Sequence, residues 1–563
     1  MVSFAVVAWV LVVGGFYYTL FGLRLSSFEV YKPLRNGTAC AVLAVWLHDR
    51  RVRPCSNWGW LARWAPRIAL AAAILFVAIT VRYGVFVAGD SDPYGYVSQA
   101  HLWSSGRIVQ RSPLSTLAPQ LGQAITPSGY ALAPDGESIV PTYSPGYPLV
   151  MALALRIGGA SAVYLVAPLL GGLTVWLTFV IARRLADERT ALVSSLMTAF
   201  SPTMLFQSVV PMSDMPATAW WTAAWAAAVA PATWSPLLAG LAAAFAVLTR
   251  PNLVPLAIVV ALFIGTTAPR VRRMAMFSCA LVPACLLVAV LNTRWYGSPL
   301  RSGYGALSGL YSFSYAPPNL QRYLSWLLDL HSPIVCAAFI APFFGRVKRA
   351  WWLLAFCASV LLSYIFYFVF DGWPFLRFML PALPLLFVLT GAVIARVVDT
   401  LPLAWKRAGL LLVCTALAAL YLFTAHRIGV FAYHQSEQRY LTIGEYAGAH
   451  LPANAAVIAG LHSGSMRMYG NRATIRWLWV PPGHLDEALN VLRAHGYEPY
   501  ILLDQYEEAE FRTRYGEASV FGRIDWPPAV EYRGNPHVRL YALQDRARYL
   551  RGERIATETT APP

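Results

Sequence analysis

Apolar residues run along this chain in long unbroken blocks instead of returning at helical or strand intervals. Val2–Leu20, Ile68–Val81, Ala275–Leu291 and Leu410–Phe423 each lack an ionised side chain. A helix needs roughly 20 residues, or somewhat fewer with flanking aromatics, to cross a hydrocarbon layer about 30 Å thick. Such blocks recur up to residue 425 and stop there. The pattern predicts an all-α polytopic membrane protein with about thirteen transmembrane helices, the first being a retained helix and not a cleaved leader. From about residue 427 the texture changes. Strand-like runs at Ala456–Ala459, Tyr500–Leu503 and Val538–Ala542 alternate with helical patterns. In His484–Gly496, Leu485, Leu489 and Leu492 share a face, Asp486 and Glu487 open the first turn, and Gly496 can cap the end. Strand–helix alternation predicts a small α/β domain over 426–563, with a disordered end from about Gly552.

Charge turns this pattern into a topology. Only 13% of residues are charged and 57% are hydrophobic, yet the net charge is +17. The basic residues come in bursts between apolar blocks: Arg50, Arg51 and Arg53; Arg183 and Arg184; Arg270, Arg272 and Arg273; Arg346, Lys348 and Arg349; Lys406 and Arg407. Cytoplasmic loops retain Lys and Arg, so the bursts mark one side of the membrane, whereas a nucleic-acid site would gather its charge on one water-exposed face. Walking the chain from these bursts puts the N-terminus in the cytoplasm and the 426–563 domain outside it. Arg24, Lys32 and Arg35 fit this walk badly, since they would lie outside. Residues 1–62 form N-terminal membrane helices and a basic loop; 63–425 form the main membrane domain, with a long first external loop over 89–143. Only three of the 44 basic residues are lysines, a bias typical of GC-rich bacterial genes, so the expected location is a bacterial cytoplasmic membrane. Seven cysteines, mostly inside apolar runs and without a CxxC or Cys/His cluster, indicate neither a disulfide framework nor a zinc site.

On this walk several acids converge on the outer side. Asp90 and Asp92 open the first external loop in Gly89-Asp90-Ser91-Asp92-Pro93-Tyr94-Gly95-Tyr96, and Asp214 lies in Pro211-Met212-Ser213-Asp214-Met215-Pro216. A carboxylate at bilayer depth costs roughly 2.5–3.5 kcal/mol on insertion scales, so acids beside apolar helix ends ask for a reason. The bland alternative is solvated loop charge, or a helix cap in the case of Asp214.

These segments, with Tyr143-Ser144-Pro145-Gly146-Tyr147-Pro148-Leu149, Leu248-Thr249-Arg250-Pro251-Asn252, Tyr296-Gly297-Ser298-Pro299-Leu300 and Arg377-Phe378-Met379-Leu380-Pro381-Ala382-Leu383-Pro384, resemble the GT-C superfamily. Within it the resemblance is to the branch of protein O-mannosyltransferases and lipid A aminoarabinose transferases, and it covers about residues 66–425. It implies an inverting glycosyltransferase that moves a sugar from a polyprenyl-phosphate donor to a hydroxyl of a protein, glycan or lipid acceptor. Asp90 or Asp92 would be the base, Asp90 being favoured, and Asp214 the supporting acid. The family often has adjacent Asp-Glu where Ser91 here separates two aspartates. Arg377 resembles the family's basic residue at the lipid phosphate; Arg301 and His331 are weaker candidates for the same role. No Walker A or Gly-rich nucleotide fingerprint is present, in keeping with a lipid-carried donor. No cofactor is implied with certainty; a divalent metal ion, to which Asp90 and Asp92 could contribute, is left open. A transporter or flippase, or a non-catalytic protein on the same scaffold, is the rival reading. Transporters usually show paired broken helices in two halves, and only one broken pair, around Thr249–Asn252, is visible. In the tail, His462-Ser463-Gly464-Ser465 reads as a turn opening a helix, not as a nucleophile and its base.

Overall fold

The computed structural model describes residues 16–20, 23–27 and 59–561, apart from Ser112 and Arg346. Two strands, β1 (Phe16–Leu20) and β2 (Leu23–Ser27), pair antiparallel with Phe16 opposite Ser27. The first apolar block therefore ends in a strand where a helix was expected, as the β preference of Phe16, Tyr17, Tyr18 and Thr19 allows. The rest of that block, and the bursts at Arg50–Arg53, lie outside the described residues.

From Gly59 to Arg427 the chain is a helical bundle. Among the described residues five helices are long and apolar enough to cross a membrane: Leu61–Arg82, Ala160–Leu185, Arg270–Tyr296, Trp373–Asp399 and Leu403–Arg427. Phe313–His331 and Pro333–Phe344 are together apolar and long enough as well, but the pair is bent by 101° at its break, as in a broken span or a re-entrant loop. Other apolar blocks fold as shorter helices, including Gly146–Gly158, Ser235–Thr249, Leu256–Gly265 and Ala350–Ile365. The expected count of about thirteen rested on one full crossing per apolar block. Among the described residues several blocks are instead one element of a broken or short pair, interrupted by Pro251 and Pro333, which cannot donate to a helix ladder.

Trp373–Asp399 runs through the centre of the bundle with its apolar window wholly buried, while Arg270–Tyr296 lies at the edge and turns Val282, Leu286, Leu287 and Val290 outward. An apolar face of that size is a liability in water and the normal state against lipid. The arginine-rich turns gather at one end: the Lys348 N–H donates to the Leu185 carbonyl (2.9 Å), Arg349 reaches Thr267 Oγ1 (3.4 Å), and Arg189 pairs with Asp399. At the other end sit the loops carrying Asp92 and Asp214, joined by the Tyr96 hydroxyl donating to Ser213 Oγ (2.7 Å).

The long first loop is built, not slack. The helix Asp92–Ser104 is buried along most of its length. A small antiparallel sheet follows, with β3 (Gln110–Arg111) and β4 (Tyr130–Leu132) on either side of β5 (Ser138–Pro141). Beyond the bundle, β6 (Ala455–Ala459), β7 (Ala473–Arg476), β8 (Glu498–Asp504), β9 (Val530–Tyr532), β10 (Val538–Ala542) and β11 (Glu558–Thr560) form one mixed sheet in the order β11-β9-β10-β8-β6-β7. β6 is parallel to β7 and β8, and β10 is antiparallel to β8 and β9. Alternation along these strands makes two buried faces. Ile458, Ile501 and Leu503 pack with Leu485, Leu489 and Leu492 of the helix Leu485–Ala494; Val457, Leu502 and Leu540 pack with Ile443 and Ala447 of the helix Tyr433–His450. The chain end, expected to be disordered from Gly552, instead adds β11 in parallel to β9, because the open β9 edge offers Ala529 O to the Glu558 N–H and the Arg533 N–H to Thr560 O (2.9 Å each).

The sheet domain grips the first loop. Leu114, Ala124 and Ile125 of the loop share a core with Trp477 and Ile475. The Ala88 N–H donates to the Tyr469 hydroxyl (2.7 Å) and the Ser128 N–H to Ser463 Oγ (3.0 Å). Gly464 and Gly89 permit this closeness: a Cβ on Gly464 would lie 2.3 Å from the Tyr94 ring, and one on Gly89 2.2 Å from the Tyr440 ring. Overpacking of this kind costs typically 1–3 kcal/mol. Gly464→Ala should therefore loosen the grip, making the 89–143 loop a site of limited proteolysis in the full chain while wild type resists cleavage. Equal resistance would show that the contact is not needed.

Candidate active site

Asp92 begins its helix at the bundle end opposite the arginine-rich turns. Its Oδ1 accepts a hydrogen bond from the Tyr143 hydroxyl (2.6 Å) and its Oδ2 one from Arg377 Nη1 (3.2 Å). Tyr143 is itself 3.1 Å from Ser91 Oγ, and its ring packs 4.5 Å from that of Tyr96. Arg377 stands in the irregular opening of the central helix, its guanidinium 5.0 Å from the Phe375 ring and 5.4 Å from that of Phe378. Its Nε is buried and, among the described residues, has no hydrogen-bond partner. The Asp92–Arg377 pair thus leaves donor capacity on the guanidinium fork, which suits planar oxyanions.

Beside this pair lies a second one. Asp214, 1% exposed, is 2.8 Å from Arg250 Nη2. Arg250 also donates to Ser213 Oγ through Nε (3.2 Å) and to the Tyr364 hydroxyl through Nη1 (2.9 Å). Its guanidinium is 5.9 Å from Phe378, the ring that Arg377 approaches too. The break after Thr249 frees Arg250 from the helix and turns it inward, so a residue whose role the sequence left open proves to be the partner of Asp214.

Asp90 takes a different position. Its φ of 51° is in the left-handed region, which Asp tolerates better than most residues, and its Oδ1 caps the Ser91 N–H (2.5 Å). Burial, then the charge of Asp92, raise its carboxyl above the usual range, partly offset by the Ser91 N–H, Arg439 and Arg377.

A cavity of about 860 Å³ opens between the first loop, the turn after Tyr296 and the sheet domain. Asp92, Tyr143, Arg301 and Tyr304 line it, with Arg476 and Trp479 from the sheet domain; Asp90 does not. His331 lies elsewhere, buried in the bundle with Nε2 2.9 Å from Ser201 Oγ, its ring between Phe387 and Tyr421. Its helix ends at the 101° bend, which carries it away from the cavity. Among the described residues no three His, Cys, Asp or Glu side chains assemble as a metal site. Sequence reasoning missed Arg476 and Trp479, for which the only signal was the run Arg476-Trp477-Leu478-Trp479 in the tail.

Behind Asp90 the sheet domain buries a charge network. Arg439 donates to Glu437 Oε1 (2.9 Å) and the Tyr440 hydroxyl (2.9 Å), and its Nε is 3.2 Å from Asp504 Oδ1. Glu507 accepts from the Asp504 and Leu461 N–H groups (3.0 and 3.3 Å). Burial first, with nearby carboxylates adding to it, pushes Glu437 and Glu507 up to about 7. A carboxyl raised from about 4.5 to about 7 on folding carries its proton in the folded state while the unfolded chain has already lost it. Stability from these groups is therefore complete below about pH 4.5 and declines as pH rises to about 7. Glu507→Gln should flatten that decline relative to wild type in melting profiles between pH 5 and 8; an unchanged profile would show that Glu507 ionises freely. Asp214→Asn, by leaving Arg250 buried without its counter-charge, should cost about 3–5 kcal/mol, measured as lost thermal stability in detergent. A variant as stable as wild type would remove the structural role of the pair.

Known proteins place this architecture. Residues 141–314 match the family model described as dolichyl-phosphate-mannose-protein mannosyltransferase. A comparison with curated proteins gave no match. Among solved structures, ArnT from Cupriavidus metallidurans in the apo state is similar at 14% identity and a TM-score of 0.52, over 86% of this chain and 98% of that one. The same protein bound to undecaprenyl phosphate gives a TM-score of 0.51 with the same coverage and identity. The Archaeoglobus fulgidus oligosaccharyltransferase tethered to an acceptor peptide is 11% identical with a TM-score of 0.51, over 85% of this chain and 74% of that one. The chain therefore has the fold of ArnT and of the archaeal oligosaccharyltransferase, with several helices apolar enough to cross a membrane, and its residues 141–314 match the mannosyltransferase family model.

Proposed function

We propose that the protein is an inverting glycosyltransferase that moves a sugar from a polyprenyl-phosphate donor to an acceptor hydroxyl, with Asp92 as base. The observation that carries this reading is a carboxylate on the cavity, Asp92, backed at 3.2 Å by a guanidinium, Arg377, at the end of the bundle opposite the arginine-rich turns. Those turns mark the cytoplasmic side by the retention of Lys and Arg there, so the cavity opens on the outer face. Asp92 is preferred to Asp90 because it faces the cavity. One solved structure of this fold holds undecaprenyl phosphate, a donor-type carrier, which supports a lipid-borne sugar here.

The residues divide the work. The acceptor oxygen forms a bond to the anomeric carbon as the bond from that carbon to the phosphate oxygen breaks, so a single displacement inverts the centre. Asp92 takes the hydroxyl proton, worth typically 10²–10⁴-fold. Tyr143 holds the carboxylate in place through Oδ1. Arg377 meets the phosphate as its charge grows, turning its spare donor toward the leaving oxygen. Asp214 neutralises Arg250, so that this buried cation does not compete for the phosphate. Arg301 stands at the cavity rim.

In purified full-length protein, Asp92→Asn should lower sugar transfer from polyprenyl-phosphate sugars by roughly 10²–10⁴-fold in protein that still folds, while Asp90→Asn should cost far less. Normal turnover by Asp92→Asn would sink the mechanism, and a collapse confined to Asp90→Asn would return the base to the neighbouring residue.

A further inference from the structure

The cavity wall supplied by the sheet domain has a chemistry of its own. Arg476 ends β7 and faces the cavity. Its Nη2 donates to Thr126 Oγ1 (2.5 Å) in the first loop, its Nε is buried without a hydrogen-bond partner among the described residues, and its guanidinium stacks 5.3 Å from the Trp479 ring. Arg467, a second cation in the same domain, donates to the Ile125 carbonyl (2.6 Å) and to Thr474 Oγ1 (2.8 Å). Among the described residues neither arginine has a carboxylate within ion-pair distance, unlike Arg250 with Asp214, Arg377 with Asp92, and Arg439 with Glu437 and Asp504. Holding an arginine in a sheltered place without a counter-charge is costly. Burial accordingly lowers the Arg476 guanidinium to about 10, with Arg467 adding to the effect, and an anion in the cavity would relieve it. Exposed Arg301 lines the same cavity, and the Trp479 ring, 54% exposed, forms a flat apolar surface at its rim. A cation without a partner beside an open aromatic face is the complement of a sugar bearing an acidic group.

We propose that Arg476 and Trp479 form the acceptor subsite, which selects an acceptor whose sugar carries a carboxylate or phosphate, the acid on Arg476 and the ring on Trp479. This rests on the sugar-transfer reading above for the identity of the cavity, and it deepens that reading by naming the acceptor's chemical class. It also gives the sheet domain a part in specificity, since removing that domain would remove both recognition residues.

The test measures binding without turnover. Full-length Asp92→Asn protein in neutral phosphatidylcholine nanodiscs is titrated, by ligand-observed NMR, with methyl β-glucoside, methyl β-glucuronide, glucose 6-phosphate and inorganic phosphate. The two acidic sugars should bind at least tenfold more tightly than methyl β-glucoside. Arg476→Gln should erase that gap, Arg476→Lys should keep part of it, and Trp479→Leu should weaken all three sugars together. Arg301→Gln, at an exposed position, provides a second variant that leaves the fold alone and should narrow the gap about threefold. Equal binding of neutral and acidic sugars, or a gap that survives Arg476→Gln in folded protein, overturns the proposal. So does inorganic phosphate binding as tightly as glucose 6-phosphate, which would make the site an anion hole without sugar recognition. Loss of the gap in Arg377→Gln, but not in Arg476→Gln, would assign it to the donor side and overturn it as well. Sugar transfer retained by Asp92→Asn would instead fell the catalytic reading while the acidic-sugar preference stood.

Discussion

The contact between Asp92 and Arg377 is the constraint on which the rest of the architecture depends. It joins residues 285 positions apart, one at the start of the first loop and the other where the central helix opens. Taking both groups out of water is expensive, and good geometry with added hydrogen bonds is what makes it tolerable. Tyr143 supplies the added bond on the acid side, and the Phe375 and Phe378 rings shelter the cation. Everything around the pair serves to bring it together: a bundle that places Arg377 at its axis, a loop folded tightly enough to aim Asp92, and a sheet domain that holds the loop down.

The neighbouring Asp214–Arg250 pair uses the same physics for another end. Both partners belong to helix boundaries inside the bundle, where an unpaired charge is worst tolerated. Its value lies in neutrality: Arg250 is fully engaged by Asp214, Ser213 and Tyr364, which leaves Arg377 as the cation with donor capacity to spare. Two similar pairs at one end of a membrane bundle thus differ in what each leaves unbonded.

Much of this was legible in the sequence, and the limits are physical. The helix carrying Leu485, Leu489 and Leu492 announced itself by its 3.6-residue period and buries that face. The acids Asp90, Asp92 and Asp214 stood out because carboxylates beside apolar blocks are costly. Their partners did not: nothing near Arg250 in the chain distinguishes a buried counter-ion from a headgroup anchor, and the pairing with Asp214 exists only across a break in a helix. His331 was a weaker candidate for the lipid phosphate, but it lies at a sharp bend, buried in the bundle beside Ser201. The strand at Glu558–Thr560 was hidden for a different reason, since three residues gain a conformation from the edge they meet and not from their own preferences.

The grip of the sheet domain on the first loop also has a consequence in time. The loop emerges early in synthesis, whereas Ser463, Arg467 and Tyr469, which bond its backbone, follow 335 to 381 positions later. Until that later part has folded, the loop that carries Asp92 is not held down and the cavity wall bearing Arg476 and Trp479 does not exist. A molecule made only as far as its bundle therefore lacks the cavity, whose last wall arrives when the sheet domain folds onto the loop.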